Sequence, residues 1–276
     1  MNKAIFLILI IISCIPCALA ATATITLDSV IDTPDRTIVH DGWTYETTDI
    51  GIYRIDQSIN VSVGVSGIKS SYISLIDKDK KPVWSQIIYY TEGHETLTVP
   101  ASTAKTPGTY ALTILYQGQV LAVKQVVIPE YDLSISSRAR IESGETLHVV
   151  VDINRDGVPV TVNETVKVVL SQGSTSFEGV ATPIGTGKYE ASIKIPVIAS
   201  GSFSLYCTVT TDRIILGRPE IIGAASYGTV DVVPSEAAPL ASTSAATAQP
   251  PWKVYGLLAA VLLLVTAYLK RKRHEK

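Results

Sequence analysis

The chain has 276 residues, with 23 Lys and Arg against 25 Asp and Glu and a formal net charge of −2 at pH 7. The balance is uneven: residues 21–250 hold 16 Lys and Arg against 24 Asp and Glu, a net −8, because basic residues gather at the C-terminal end. An acidic body of this kind argues against nucleic acid as a partner and against direct docking on anionic lipid.

At the N-terminal end, Lys3 precedes the apolar run 4–15 (AIFLILIIISCI), and Ala18-Leu19-Ala20 follows it. The run is too short for a hydrocarbon core of about 30 Å, and the three-part pattern predicts a signal peptide over 1–20, cleaved after Ala20. Ile11-Ile12-Ser13-Cys14 also resembles a lipobox, which would make Cys14 a lipidated N-terminus; the cleaved signal is the favoured reading. Of the three cysteines, Cys14 and Cys17 fall in this segment, leaving Cys207 with no intramolecular disulfide partner.

From residue 21 onward helical periodicity gives way to short alternating runs rich in Val, Ile, Thr and Tyr, separated by Gly, Pro, Asp and Ser turns. Ile59, Val61, Val63 and Val65 alternate with Ser58, Asn60, Ser62 and Gly64; Val166, Val168 and Leu170 alternate with Thr165 and Lys167. Turns stand at 78–82, 106–108, Asp156-Gly157 and 185–187. The expected class is all-β, as two tandem Ig-like sandwiches over 21–130 and 131–233. Two echoes support the division. Gly108-Thr109-Tyr110-Ala111-Leu112 matches Gly201-Ser202-Phe203-Ser204-Leu205, and the turn entering Pro82-Val83 matches the one entering Pro159-Val160. The junction near Pro129-Glu130-Tyr131-Asp132 leaves almost no linker, so limited freedom between the halves is expected.

In the first half, His40-Asp41-Gly42-Trp43-Thr44-Tyr45 offers an aromatic platform or, as the favoured reading, an aromatic staple holding an edge hairpin. Asn60-Val61-Ser62 and Asn163-Glu164-Thr165 are glycosylation sequons whose asparagines fall out of phase with their apolar neighbours and so should face solvent. In the second half, Asp152, Asn154 and Asp156 with Gly157 spell the opening of a calcium loop. The position expected to hold a bidentate Glu is Asn163, and Glu164 comes one place late. A hairpin turn built on Asp156-Gly157 is the favoured reading, with calcium as the alternative. Cys207 is in phase with Phe203, Leu205 and Val209 and is expected to be a buried small hydrophobe.

Gly187-Lys188-Tyr189-Glu190-Ala191, then Ile195-Pro196, then Gly201-Ser202-Phe203-Ser204-Leu205 resembles the GxYxA…P…GxYxL pattern of Ig-like and macroglobulin-like sandwich domains in prokaryotic surface proteins. Gly144-Glu145-Thr146-Leu147 opening a strand is similar to those domains too. The resemblance covers about 100 residues of the second half well and the first half poorly. It implies a fold rather than an activity; the reactive centres of full macroglobulins have no counterpart here.

Residues 234–251 are Pro, Ala, Ser and Thr-rich and are expected to form an extended stalk. The apolar run 254–269, followed by Lys270-Arg271-Lys272-Arg273, reads as a single membrane helix within 252–269. The basic tail over 270–276 should be cytoplasmic. Signal, stalk and anchor together resemble archaeal or bacterial envelope proteins. The sequence contains no G-x-S-x-G, no H-E-x-x-H, no histidine pair at metal-ligand spacing and no phosphate-binding glycine loop, so no enzyme and no cofactor are expected. The resulting expectation is a type I surface protein contacting an envelope protein or glycan, for adhesion or as a scaffold. The alternatives are an accessory subunit of a membrane transport or export complex and, remotely, an envelope hydrolase.

Overall fold

The computed structural model describes residues 21–235; the signal-like run, the membrane-helix run, the basic tail and most of the stalk lie outside the described residues. Among the described residues the chain is all-β, and no helix is long and apolar enough to cross a membrane.

The first nine strands are β1 (Thr22–Leu27), β2 (Val30–His40), β3 (Trp43–Ile52), β4 (Ile59–Ser66), β5 (Ser70–Ile76), β6 (Pro82–Tyr89), β7 (His94–Val99), β8 (Gly108–Tyr116) and β9 (Gln119–Ile128). They form a three-stranded sheet, β1-β4-β7, facing a six-stranded sheet, β2-β3-β9-β8-β5-β6. Alternation fixes which side chains face inward. Ile59, Val61 and Val63 of β4 meet Ile73, Leu75, Leu112 and Ile114 across the gap, all at 2% exposure or less. At the start of β8, the Tyr110 hydroxyl donates to the Thr106 carbonyl (2.7 Å), tying the strand to the corner before it.

The remaining strands are β10 (Asp132–Ser136), β11 (Arg140–Glu142), β12 (Thr146–Arg155), β13 (Val158–Pro159), β14 (Thr165–Gln172), β15 (Thr175–Val180), β16 (Thr182–Gly185), β17 (Lys188–Lys194), β18 (Gly201–Ile215) and β19 (Arg218–Val233). One sheet runs β10-β12-β17-β16 with β13 beside β12; the other runs β11-β19-β18-β14-β15. Between them lie Leu147, Val149 and Val151 from one side and Val168, Leu170, Leu205, Cys207 and Val209 from the other. Cys207 is fully buried, and burial pushes its thiol up to about 12. At that pKa it is a packing residue rather than a nucleophile.

Strand by strand the two halves follow one plan. In both, one sheet holds a strand flanked by the first strand of the half and by the strand preceding its last hairpin (β1-β4-β7 and β10-β12-β17). In both, the last strand takes a short parallel partner from near the start, β3 against β9 and β11 against β19. The echoed segments sit at equivalent places: Gly108 (φ 136°) opens β8, and Gly201 (φ 116°) opens β18. Both positive φ values suit glycine.

Each half also departs from the plan. The first inserts the β2–β3 hairpin, turned at Asp41-Gly42 with φ of 48° and 81°, as a two-residue hairpin loop of the primed type requires. Its outer half curls over the open face of the six-stranded sheet. Ile38 is fully buried there against Ala111 and Val123, and the Tyr45 hydroxyl donates to the Val120 carbonyl (3.1 Å). The second half lengthens its last hairpin, so that β18 and β19 have 15 and 16 residues.

Candidate functional site

The inserted hairpin and the lengthened hairpin meet. Val39 N–H donates to the Leu216 carbonyl (2.8 Å), Arg218 Nη1 to the Thr37 carbonyl (3.3 Å) and Arg213 Nη2 to Asp79 (2.6 Å). Leu216 packs against the Ile38 cluster. Nearer the junction, Ile221 and Thr109 exchange bonds: the Thr109 hydroxyl donates to the Ile221 carbonyl (3.0 Å) and Ile221 N–H donates back to that hydroxyl (3.1 Å). Glu130 N–H donates to the Ile222 carbonyl (2.7 Å). Arg155 lies over the Tyr131 ring at 4.8 Å and pairs with Glu130. An apolar core of its own, Ile31, Ile50, Val127, Val169, Tyr206, Ile221 and Ala224, spans the two halves. These contacts hold the halves in one fixed relation.

Beside that core lies a groove of about 680 Å³. Its floor and one wall follow from register. On the outward face of β14, Thr165, Lys167 and Val169 stand opposite Thr210, Thr208 and Tyr206 of β18. Ser176 and Glu178 of β15 extend the row. Where this face turns apolar, at Val169 and Tyr206, the first half covers it; where it stays polar, it is open to the groove. Arg36 and Arg218 contribute from the opposite side and from the hairpin stem. A bulge in β2 between Asp32 and Arg36, containing Pro34, sets where Arg36 lies. Edge strands accept both features, and a bulge re-aims the side chain that follows it.

Arg36 is partly buried. Its Nη2 donates to Gln125 Oε1 (2.7 Å), while its Nε is shielded from solvent with no acceptor. Among the described residues neither Arg36 nor Arg218 has a carboxylate within 4.0 Å. Burial first, then the neighbouring Arg218, pulls the Arg36 guanidinium down to about 10. Burial pushes the Tyr206 phenol up to about 12. Lys124, enclosed at 13% exposure, shows the usual solution by contrast: it pairs with Asp49. The groove's acidic residues are engaged or at its rim. Glu178 pairs with Lys167 (2.6 Å), and Asp35 and Asp212 are exposed. Glu220, 5% exposed with Oε1 unpartnered, sits near Gly108, where an added Cβ would come within 2.7 Å of it.

The residues singled out from sequence are elsewhere. Asp152 and Asn154 lie within β12, Asp152 paired in register with β10 and β17 and Asn154 with β10 and β13, and Asp152 accepts from Lys188 Nζ (2.7 Å). Asp156 and Gly157, at φ 52° and 77°, form the tight turn into β13. Asn60 is exposed on β4, but its amide donates to Asp28 (2.7 Å) and its carbonyl accepts from Thr98 (3.0 Å). Asn163 is exposed in the loop between β13 and β14. The aromatic staple falls to Tyr45 rather than Trp43, which is 69% exposed beside the hairpin turn. His40 is buried next to Asp41, and His148 contacts Glu190 (3.1 Å). Among the described residues no cluster of three His, Cys, Asp or Glu could hold a metal. Sequence reasoning missed Arg36 and Arg218, each one basic residue among many; only the meeting of two distant hairpins makes them neighbours.

No family model and no curated protein matches the chain. Solved structures do. A family 2 glycosyl hydrolase from Bacteroides cellulosilyticus is 13% identical with a TM-score of 0.25, over 78% of this chain and 29% of its own. A DUF4785 family protein from Legionella pneumophila is 9% identical with a TM-score of 0.42, over 77% and 61%. A tetra-tandem repeat from the extending region of a large adhesion protein is 16% identical with a TM-score of 0.27, over 77% and 50%. Alpha-2-macroglobulins of Salmonella and E. coli match at TM-scores of 0.26 and 0.27. The chain spans less than two thirds of each of these structures, and none of them transfers an activity or a partner to it.

Proposed function

We propose that this chain is a single-pass type I surface protein of a prokaryotic, archaeal-type envelope that presents two Ig-like sandwiches, 21–130 and 131–233, as one rigid contact module. In this reading residues 1–20 are removed, 234–251 are a stalk, 252–269 cross the membrane and 270–276 face the cytoplasm. Both sandwiches have the strand order of Ig-type domains, and the Tyr110 hydroxyl bonded to the Thr106 carbonyl is the tyrosine corner that accompanies such folds. One observation carries the functional part: an apolar core and a hairpin clamp lock the sandwiches together and leave an open polar groove at the junction. Rigid scaffolds that position an open recess are suited to binding.

The role is contact with an envelope protein or glycan rather than catalysis. The groups with perturbed protonation do not form an acid–base pair: Arg36 and Tyr206 are a cation and a neutral phenol, and Cys207 is enclosed in a core. Asn163, exposed in a loop, suits glycan attachment better than Asn60, whose amide is already engaged. The test is adhesion of cells displaying the full chain to envelope fragments, with residues 254–269 native or replaced by polyleucine. Adhesion is expected in both. Loss with the polyleucine helix would point instead to an accessory subunit assembled through its membrane segment. Absence of adhesion in both would overturn the reading.

A further inference from the structure

We propose that the groove between the sandwiches receives the carboxylate of an acidic saccharide. Arg36 and Arg218 grip the acid, and the hydroxyls of Thr165, Ser176, Thr208 and Thr210 line the path of the sugar. The inference rests on the reading above and names the ligand class of its groove.

Three observations converge. First, two guanidiniums, Arg36 partly buried and Arg218 exposed, line one recess with no carboxylate within 4.0 Å of either, although the enclosed Lys124 is paired. Partly buried Arg36 has Gln125 as its hydrogen-bond partner and, beyond 4.0 Å, only Asp49, itself paired with Lys124, to offset its charge; a carboxylate in the groove supplies charge-assisted bonds in the fork geometry that arginine favours. Second, the wall is a row of hydroxyl side chains, fixed by the register of β14 and β18, beside apolar surface at Pro34, Ile214 and Pro219, a combination that matches the polar edges and apolar faces of a sugar ring. Such a row exchanges hydrogen bonds with a polyol. Third, the groove is not a basic patch. Arg36, Arg218 and Lys167 are matched in number by Asp35, Glu178 and Asp212. With the acidic body around it, this repels dense polyanions and admits a ligand whose carboxylates are spaced by neutral sugars.

The probe is a hyaluronan tetrasaccharide, in which glucuronate alternates with a neutral sugar, titrated calorimetrically into the full chain. The comparison ligands are its methyl ester, chitotetraose and a short polyglutamate. Saturable binding of the acid form alone is expected. Arg36→Met should weaken it roughly thirtyfold or more, as removal of one partner of a desolvated charge pair does, and Arg218→Gln, at an exposed position, roughly threefold to fivefold. Arg36→Lys should fall between, because the charge stays and the fork is lost. Thermal melting should show Arg218→Gln, at an exposed position, as stable as the native chain, which separates a binding role from a structural one. Equal binding by the ester or chitotetraose overturns the carboxylate, and equal binding by polyglutamate overturns the saccharide. No binding to the native chain, or binding unchanged in both arginine variants, overturns the site. Should envelope adhesion persist while the tetrasaccharide fails, this inference falls and the contact reading stands.

Discussion

The two sandwiches share a strand plan but put their extra residues in different places, and that difference organises the molecule. The first half has a hairpin inserted after its first strand, whose second arm ends as the short parallel partner of the last strand; the second lengthens the hairpin between its final two strands. Neither added segment enters the main core of its own half; Ile38 and Leu216 sit in a separate small cluster with Ala111 and Val123. Leu112 and Leu205, at equivalent positions after the echoed glycines, are both fully buried between the sheets of their own halves, Leu205 on the inner part of β18 rather than on its extension. The additions instead meet each other through Val39, Leu216 and Arg218. The common plan therefore supplies two stable bodies, and the departures from it supply the joint and the groove.

The comparison can be broken at several points. Leu112→Ala and Leu205→Ala should each cost about 2–5 kcal/mol. Because the joint couples the halves, calorimetry should still show one cooperative transition in each variant; separate transitions would mean that the halves are energetically independent. Ile50→Ala removes a 1%-exposed side chain from the shared core and should cost about 2–4 kcal/mol. Unlike the previous pair, it should split the transition, since it weakens the joint and neither body.

Gly217, at the tip of the clamp, has φ of 74°, and an added Cβ would lie 3.1 Å from Val39. Gly217→Ala should therefore cost about 1–3 kcal/mol through backbone strain, with faster amide exchange in 36–47 and 213–218 as its local signature.

The smallest effect concerns pH. Burial holds His40, in the inserted hairpin, below the ordinary histidine pKa of 6.5; Lys80 acts in the same direction and Asp41 opposes both. A depressed folded-state pKa means that the unfolded chain binds the proton more tightly. The contribution of His40 is then complete above pH 6.5 and is lost as pH falls through the folded-state value. Melting temperatures measured from pH 7.5 to pH 5 should decline, and His40→Asn should flatten the decline. An unchanged slope in that variant would assign the acid sensitivity to other groups.

Much of this architecture is written locally. Period-two alternation at Ile59–Val65 and Val166–Leu170 marks strands because successive side chains of an extended chain face opposite sides. Asp156-Gly157 marks a turn because both residues tolerate positive φ, and the echo of Gly108 in Gly201 marks a repeated fold because both open the same strand. Cys207 shows its burial by its phase with Leu205 and Val209. The stretch His40–Tyr45 is legible as a hairpin with an aromatic staple, but not which of Trp43 and Tyr45 performs it; in the structure it is Tyr45. Local pattern gives the turn and not the face that a curled hairpin lays down.

The sequence by itself determined an all-β body and the composition of its cores, since alternation and turn chemistry act over a few residues. Only the tertiary structure decided the joint and the groove. Arg36 and Arg218 are separated by nearly the whole described chain, and their approach depends on a bulge in one hairpin, the length of another and the apolar core that docks them. A single sequence carries no local signature of such an arrangement, because Arg36 comes to be partly buried, with its Nε shielded and no carboxylate within 4.0 Å, only once the chain has folded.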